Sequence, residues 1–311
     1  MTVVLTFGLS ATAHAQRPTP TPLVFGAHVE SVFIDVSVTA RGRNVAGLTA
    51  NDFVLKDDGV RKPFDVVSTD AQTVKAVLVF DTSQSMRGQK IERLRGAADL
   101  FVSGLRPLDE ASLVTFSDEV GTSGAMSPDL GPVQIGLMRL RARGATALYD
   151  ALFSAMVLPR TSSRLLIIVF SDGDDNASWL DGARIQRFAE RSNALIHVVA
   201  AKEAPLVSQS SFGNVTASRP EYMRVLQKVA EATGGTMIEI DAPEQVLPAF
   251  AAIVDSIKNR YLIRYDPDAD AAPGWHKLSI ELKAKKGDVR ARTGYMIQSL
   301  ADPRDERPDR R

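Results

Sequence analysis

Apolar positions along this chain recur with three spacings, and each spacing predicts a different element. Residues 29–40 (VESVFIDVSVTA) alternate, with Val32, Ile34, Val36 and Val38 on one face, which predicts a half-buried β-strand. Arg41-Gly42-Arg43-Asn44 is a turn, and residues 47–68 predict two more strand segments around the hairpin-type turn Asp57-Asp58-Gly59. From Val74 the pattern changes. The run Val74–Phe80 is almost uninterrupted and predicts a central parallel strand covered on both faces. Ile91, Leu94, Ala98, Phe101 and Leu105 then fall on one face of a helix.

The alternation continues. Residues 111–118 predict a second core strand, 119–130 a turn-rich stretch with a short edge strand, and 131–141 a helix through Val133, Leu137 and Leu140. Gly144-Ala145-Thr146 interrupts before a helix restarts over 147–158. Residues 164–176 hold the most apolar strand and end in acids; a helix near 180–192 and the strand 195–200 follow. A helix over 220–233 stops at Gly234-Gly235, and strand 236–240 and helix 243–259 complete the series. After Arg260 strands return: 261–267, then 276–297 with Lys285-Lys286-Gly287-Asp288 as a hairpin turn. The fold class expected is therefore α/β: a doubly wound, mostly parallel sheet over 73–260, flanked by a small β-sandwich made from both chain ends, 29–70 and 261–298.

Composition narrows the function. The chain has 311 residues, of which 44% are hydrophobic, enough for a sizeable core. Lys plus Arg and Asp plus Glu number 37 each, a balance that favours neither nucleic acid nor an anionic membrane. With no Cys, disulfides, thiolate catalysis and Cys-type zinc sites are excluded. Residues 1–15 pass from an apolar stretch, Val3–Leu9, to Ala13-His14-Ala15, the pattern of a signal peptide, though the usual basic flank is missing. A Pro- and Thr-rich lead-in, 16–28, follows; 203–219 is a long Ser-rich loop, and 299–311 a charged tail expected to be disordered. No later run is long enough to span a bilayer, so a periplasmic or secreted bacterial protein is expected.

The candidate chemistry lies where the first core strand ends. Asp81, Ser83 and Ser85 follow it at alternate positions, and ligands of open α/β sheets bind beyond the carboxyl ends of their strands. All three residues offer oxygen, which suits a hard cation such as Mg²⁺. Asp81-Thr82-Ser83-Gln84-Ser85 resembles the Asp-x-Ser-x-Ser signature of von Willebrand factor type A (VWA) domains, whose metal-ion-dependent adhesion site (MIDAS) also needs a distant Thr and a distant Asp. Gly144-Ala145-Thr146 is similar to the Gly-x-Thr loop of those domains, and Phe170-Ser171-Asp172-Gly173 to their second acid-bearing strand end. The resemblance implies a metal set of Asp81, Ser83, Ser85, Thr146 and Asp172. In it Ser83, Ser85 and Thr146 bind directly, Asp81 and Asp172 act mainly through water, and the last position is open to a carboxylate of a protein partner. The cofactor implied is Mg²⁺, with Mn²⁺ or Ca²⁺ as alternatives. GLTANDFVLKDDG, YLIRYDP and VRARTGY further resemble an exported bacterial family described as VWFA-related, acidobacterial type.

Other polar residues point to blander roles. Asp174 and Asp175 read as exposed acids at a helix start, Asp150 as a helix-face acid, and Asp118 as either an outer partner of the site or a solvated turn residue. His28, His197 and His276 are scattered and read as core or sheet-face residues; Trp179 and Trp275 read as packing anchors, and Arg290 and Arg292 as one solvated strand face. Three functions compete: a non-enzymatic, metal-dependent protein-binding module; a structural piece of an envelope assembly with a vestigial site; and a Mg²⁺-dependent phosphohydrolase. The last has Ser83 where its second acid would stand, and the sequence shows no P-loop or nucleophile elbow.

Overall fold

The computed structural model describes residues 31–68, 73–158, 165–201, 220–283 and 287–297. The expected signal peptide, the lead-in, the Ser-rich loop 203–219 and the tail lie outside the described residues. The N-terminal stretch supplies strands β1 (Val32–Ala40), β2 (Arg43–Asn44), β3 (Phe53–Asp57), β4 (Val60–Lys62) and β5 (Asp65–Val67). The middle alternates: β6 (Lys75–Asp81), α1 (Gln89–Ser103), β7 (Glu110–Phe116), β8 (Val120–Thr122), α2 (Gly131–Met138), α3 (Leu148–Val157), β9 (Leu165–Ser171), α4 (Gly182–Arg191), β10 (Ala194–Ala201), α5 (Glu221–Ala232), β11 (Met237–Ile240) and α6 (Val246–Lys258). The chain closes with β12 (Tyr261–Tyr265), β13 (Gly274–Leu282), β14 (Asp288–Arg290) and β15 (Gly294–Ile297).

The central sheet runs β11-β10-β9-β6-β7-β8, parallel except for the edge strand β8. Its central strands β6, β9 and β10 are apolar on both faces because both faces are covered. Leu78, Phe80 and Phe170 pack with Leu94, Phe101, Val133 and Phe250 of α1, α2 and α6 on one side. Val79, Val169 and Ile196 pack with Leu152, Ile185 and Leu226 of α3, α4 and α5 on the other. The chain leaves β6 toward β7 and β8, then returns to place β9 against the opposite edge of β6. The strand order thus reverses between β6 and β9, the place where ligands enter such sheets.

Asp109 anchors the start of this sheet. Its Oδ1 accepts the Val74 amide at 2.8 Å and its Oδ2 the Arg106 amide at 2.8 Å, while the Arg106 guanidinium lies 3.1 Å away. Burial pushes its pKa up, but the bonds from Arg106 and Val74 outweigh this and hold the carboxyl below its ordinary range. A group depressed in the folded state stabilises it above its unfolded pKa, and that contribution fades as pH falls through the folded value. Asp109→Asn is therefore expected to lower stability by about 1–2 kcal/mol at pH 7 and to lose less on acidification than the parent. Urea unfolding at pH 7 and pH 3 checks this.

Two antiparallel sheets, built from both ends of the chain, stand beside the α/β layers. One contains β14-β1-β12-β5, with β2 on β1; the other runs β15-β13-β3-β4. They share a core of Ile34, Val36, Phe53, Leu55, Ile263, Tyr265 and Leu278. The β3–β4 hairpin is the one anticipated at Asp57-Asp58-Gly59, with φ of 47° at Asp58 and 83° at Gly59, the left-handed pair that tight hairpins need.

Three expectations are corrected here. β1 is not half-buried, since Asp35 and Ser37 on its other face are covered as well. Residues 276–297 do not form one hairpin: β13 pairs with β3 and β15, while β14 crosses to β1 in the other sheet. Arg292 is not on a solvated face either. It is buried, donating to the Gly294 carbonyl at 2.6 Å, the Asn193 side chain at 3.0 Å and the Ser192 carbonyl at 3.1 Å. Ser192 caps the C-terminus of α4, so this guanidinium ties the β sheets to the negative end of a helix of the α/β layers. Arg290 also reaches across, to the Thr236 hydroxyl at 2.8 Å.

Candidate metal centre

The site forms where β6 and β9 end side by side. Phe80 is in register with Phe170, so Asp81 and Ser171 emerge as neighbours, and the Ser171 hydroxyl donates to Asp81 Oδ2 at 2.8 Å. After β6 the chain turns through a short 3-10 segment, Gln84–Met86, before α1. This turn brings Ser83 back so that its amide donates to Asp81 Oδ1 at 2.8 Å. One Asp81 oxygen thus shapes the turn and the other ties it to the end of β9.

Three loops are laced together at this edge. Gln84 N–H donates to the Gly144 carbonyl at 3.1 Å, and Arg143 N–H to the Thr82 carbonyl at 2.7 Å. Thr146 N–H donates to Asn176 Oδ1 at 2.9 Å, and the Asn176 and Ala177 amides donate to the Thr146 carbonyl at 3.0 and 3.1 Å. Gly144 is required here: its φ is +74°, and a Cβ would lie 2.1 Å from Asp118 Oδ1. Asp118 itself is exposed and packs against this glycine.

The five residues named from the sequence meet at one rim. Ser83 and Ser85 hydroxyls are 3.0 Å apart, and Ser85 donates to Asp172 Oδ1 at 2.7 Å. The Thr146 and Ser85 hydroxyls flank Gly173, whose absent Cβ would sit 3.8 and 3.9 Å from them. Asp81, Ser83, Thr146 and Asp172 are buried, whereas Ser85 faces solvent. Burial, reinforced by the nearby Asp172 charge, pushes Asp81 up to about 6 against the opposing bonds from Ser83 and Ser171. Two sequestered carboxylates, three hydroxyls and an exposed mouth suit a hard divalent ion. The 3.0 Å hydroxyl spacing also matches the edge of an octahedron with bonds of about 2.1 Å, roughly 3.0 Å.

Lys90, one residue into α1, was not legible as part of this site. Its ammonium contacts Asp172 Oδ2 and supplies the positive charge the buried acid needs. It therefore competes with any cation drawn to the same carboxylate. Lys90→Met is expected to tighten Mn²⁺ binding roughly three- to tenfold, measured by calorimetric titration.

Several neighbouring residues differ from their expected roles, while Asp174 and His197 keep theirs. Asp150 accepts the Trp179 and Leu180 amides at 2.9 and 3.0 Å rather than standing on a solvated helix face. Asp175 accepts the Tyr149 amide at 2.9 Å and caps α3, not the helix that follows it; Asp174 is exposed. Trp179 is no packing anchor: it is 94% exposed, on the loop that Asn176 fastens to Thr146. Trp275 is exposed as well, at 39%. His197 is buried in β10, where its Nδ1 accepts the Thr236 amide at 3.2 Å, a core role as expected.

A doubly wound sheet carrying an acid-and-hydroxyl rim at its reversal point defines a VWA-type α/β domain with a potential MIDAS. Comparison with known proteins gives the same class for this part of the chain: residues 76–174 match the von Willebrand factor type A domain family. Inter-alpha-trypsin inhibitor heavy chain H4 is similar over part of the chain, at 29% identity in Sus scrofa and 28% in Bos taurus, covering 36% and 40% of this chain. The matched segment spans only 13% and 15% of those relatives' length. Among solved structures, a von Willebrand factor type A protein from Catenulispora acidiphila is similar at 13% identity and TM-score 0.49, covering 88% of this chain and 76% of that one. BatB from Bacteroides thetaiotaomicron is similar at 18% identity and TM-score 0.45, covering 60% and 98%. Proximal thread matrix protein 1 from the mussel byssus, with a zinc-occupied MIDAS motif, is similar at 13% identity and TM-score 0.49, covering 64% and 49%.

Proposed function

We propose that this chain is an exported, non-enzymatic binding module that captures an acidic residue of a protein partner through a divalent cation held by Asp81, Ser83, Ser85, Thr146 and Asp172. The observation that carries this reading is the convergence of three loops on two buried carboxylates and three hydroxyls. Ser83, Ser85 and Thr146 would bind the ion directly. Asp81 would fix the turn that presents the two serines, and Asp172 would balance charge. Mg²⁺ is the ion proposed, with Mn²⁺ or Ca²⁺ as alternatives; when bound, it supplies an electrophilic position that a carboxylate can fill. Trp179 adds an exposed aromatic surface on a loop of the same rim, the kind of group that anchors protein interfaces. The N-terminal sequence pattern supports export, and no helix among the described residues is long and apolar enough to cross a membrane.

A second reading has one observation in its favour. The Lys90 ammonium on Asp172 neutralises the acid without a metal, as a vestigial site in a structural envelope component would require. Capture of protein partners from a bacterial envelope extract by the immobilised, Mg²⁺-loaded chain separates the two. Metal-mediated binding predicts capture that is lost with EDTA and with Thr146→Ala. Capture unchanged by both would support the structural reading.

A further inference from the structure

The β-sandwich brings together the adjacent Asp57 of β3 and Asp58 of the β3–β4 turn with His276 of β13, more than two hundred positions further along the chain. We propose that these three side chains form a second metal site, for Zn²⁺ or another divalent ion that accepts mixed nitrogen and oxygen ligands.

One ligand atom of each residue is already fixed by a neighbour, and the other three atoms converge. Asp57 Oδ2 accepts the hydroxyls of Tyr265 at 2.7 Å and Tyr295 at 2.8 Å. Burial, and then the Asp57 charge, hold both phenols far above their ordinary pKa, so both remain donors. Asp58 Oδ1 accepts the Lys277 amide at 2.9 Å. His276 Nε2 lies 2.8 Å from the Ala272 carbonyl, which can only accept, so the ring hydrogen sits on Nε2. The ring is also held by stacking on Tyr295, with centroids 5.1 Å apart. A histidine that donates one nitrogen to a backbone carbonyl while presenting the other is the usual arrangement of a metal ligand, and hydrogen-bonded carboxylates complete such an outer shell.

The three remaining atoms, Asp57 Oδ1, Asp58 Oδ2 and His276 Nδ1, lie within 4.8 Å of one another. Nδ1 is 3.0 Å from Asp58 Oδ2 and 3.5 Å from Asp57 Oδ1. A neutral imidazole would aim its lone pair at two carboxylates, so something positive must stand between them. A proton on Nδ1 could serve Asp58, but Asp57 Oδ1 makes no hydrogen bond in this arrangement although Asp57 is only 7% exposed. A buried, unpaired carboxylate oxygen is costly. The nearby ammonium of Lys62 does not satisfy it, because Lys62 pairs with Asp268. A metal ion would serve all three atoms at once. The two nitrogen–oxygen separations bracket the edge of a tetrahedron with bonds of about 2.0 Å, roughly 3.3 Å. Three ligands leave a fourth position for water or a partner's side chain.

The site is independent of the MIDAS and is tested apart from it, with Co²⁺ as a spectroscopic probe and Zn²⁺ as competitor on the full chain. An all-oxygen, six-coordinate site gives only weak visible absorption with Co²⁺, whereas a four-coordinate nitrogen–oxygen site absorbs intensely. The expected result is an intense band that Zn²⁺ bleaches, that persists in Thr146→Ala, and that is lost in His276→Gln. Asp58→Asn, at an exposed turn position, is expected to weaken Co²⁺ binding at least tenfold while the far-ultraviolet circular dichroism stays unchanged. The proposal is overturned if the parent chain gives no intense band, or if the band survives in both His276→Gln and Asp58→Asn.

Discussion

Asp172→Ala is expected to lower the affinity for Mg²⁺ or Mn²⁺ by about 100-fold, the upper end of the 10–100-fold typical of groups that stand just behind the direct ligands. The residue sits just past β9 and is almost completely buried, and it is the acid toward which Ser85 points its hydroxyl at 2.7 Å. Removing it takes away one of the two carboxylates proposed to hold the cation and releases the Ser85 hydroxyl. It also strands the Lys90 ammonium beside the site, where it repels an incoming ion. The double variant Asp172→Ala, Lys90→Met is therefore expected to recover part, but not all, of the lost affinity. Calorimetric Mn²⁺ titration of the parent, the single and the double variant measures both effects.

Arg292→Ala carries the largest expected effect on stability, a loss of about 3 kcal/mol. The side chain makes three hydrogen bonds, to Gly294, Asn193 and Ser192. Burial pushes its pKa down to about 10, and the nearby Asp35 charge opposes that shift. At neutral pH it is still a cation, so its removal leaves Asp35 covered and without that charge. Because it bridges the β sheets and α4, the loss is expected across the joint between the two layers. Lysine cannot reproduce a fork that reaches three acceptors, so Arg292→Lys is expected to recover less than half of the loss. In thermal unfolding, about 3 kcal/mol corresponds to roughly 6–12 °C for a chain of this size.

The sequence was most informative where burial is complete on both sides. β6, β9 and β10 read as unbroken apolar runs because helices cover both faces, and strand–helix alternation then specified a parallel sheet. The five residues of the candidate site were legible for a related reason: each of their three segments follows a feature of short range, an apolar strand end or a glycine-marked loop. Thr146 could be assigned because Gly144 marks its loop, and that glycine is needed to pass Asp118.

Long-range contacts between charged groups were not legible. Lys90 lies on the amphipathic α1 like any solvated cation, and nothing local shows that its ammonium reaches Asp172. Arg292 alternates with Arg290 as on an exposed strand, yet β14 ends at Arg290 and the chain turns Arg292 inward. The supposed hairpin between β13 and β14 failed similarly. Two adjacent strand-like segments pair by default in a sequence reading, but here each finds its partner from the opposite chain end. Trp179 failed in the other direction: its bulk suggested a core position, whereas Asp150 fixes the backbone of its loop and leaves the indole outside.

The most direct measurement is anomalous diffraction from crystals of the chain grown with Mn²⁺. The account predicts a manganese peak bonded to the hydroxyl oxygens of Ser83, Ser85 and Thr146, with Asp81 and Asp172 behind them and one position facing solvent. Saturating Mn²⁺ with no peak at that rim, or an ion bound there without those three hydroxyls, would contradict it.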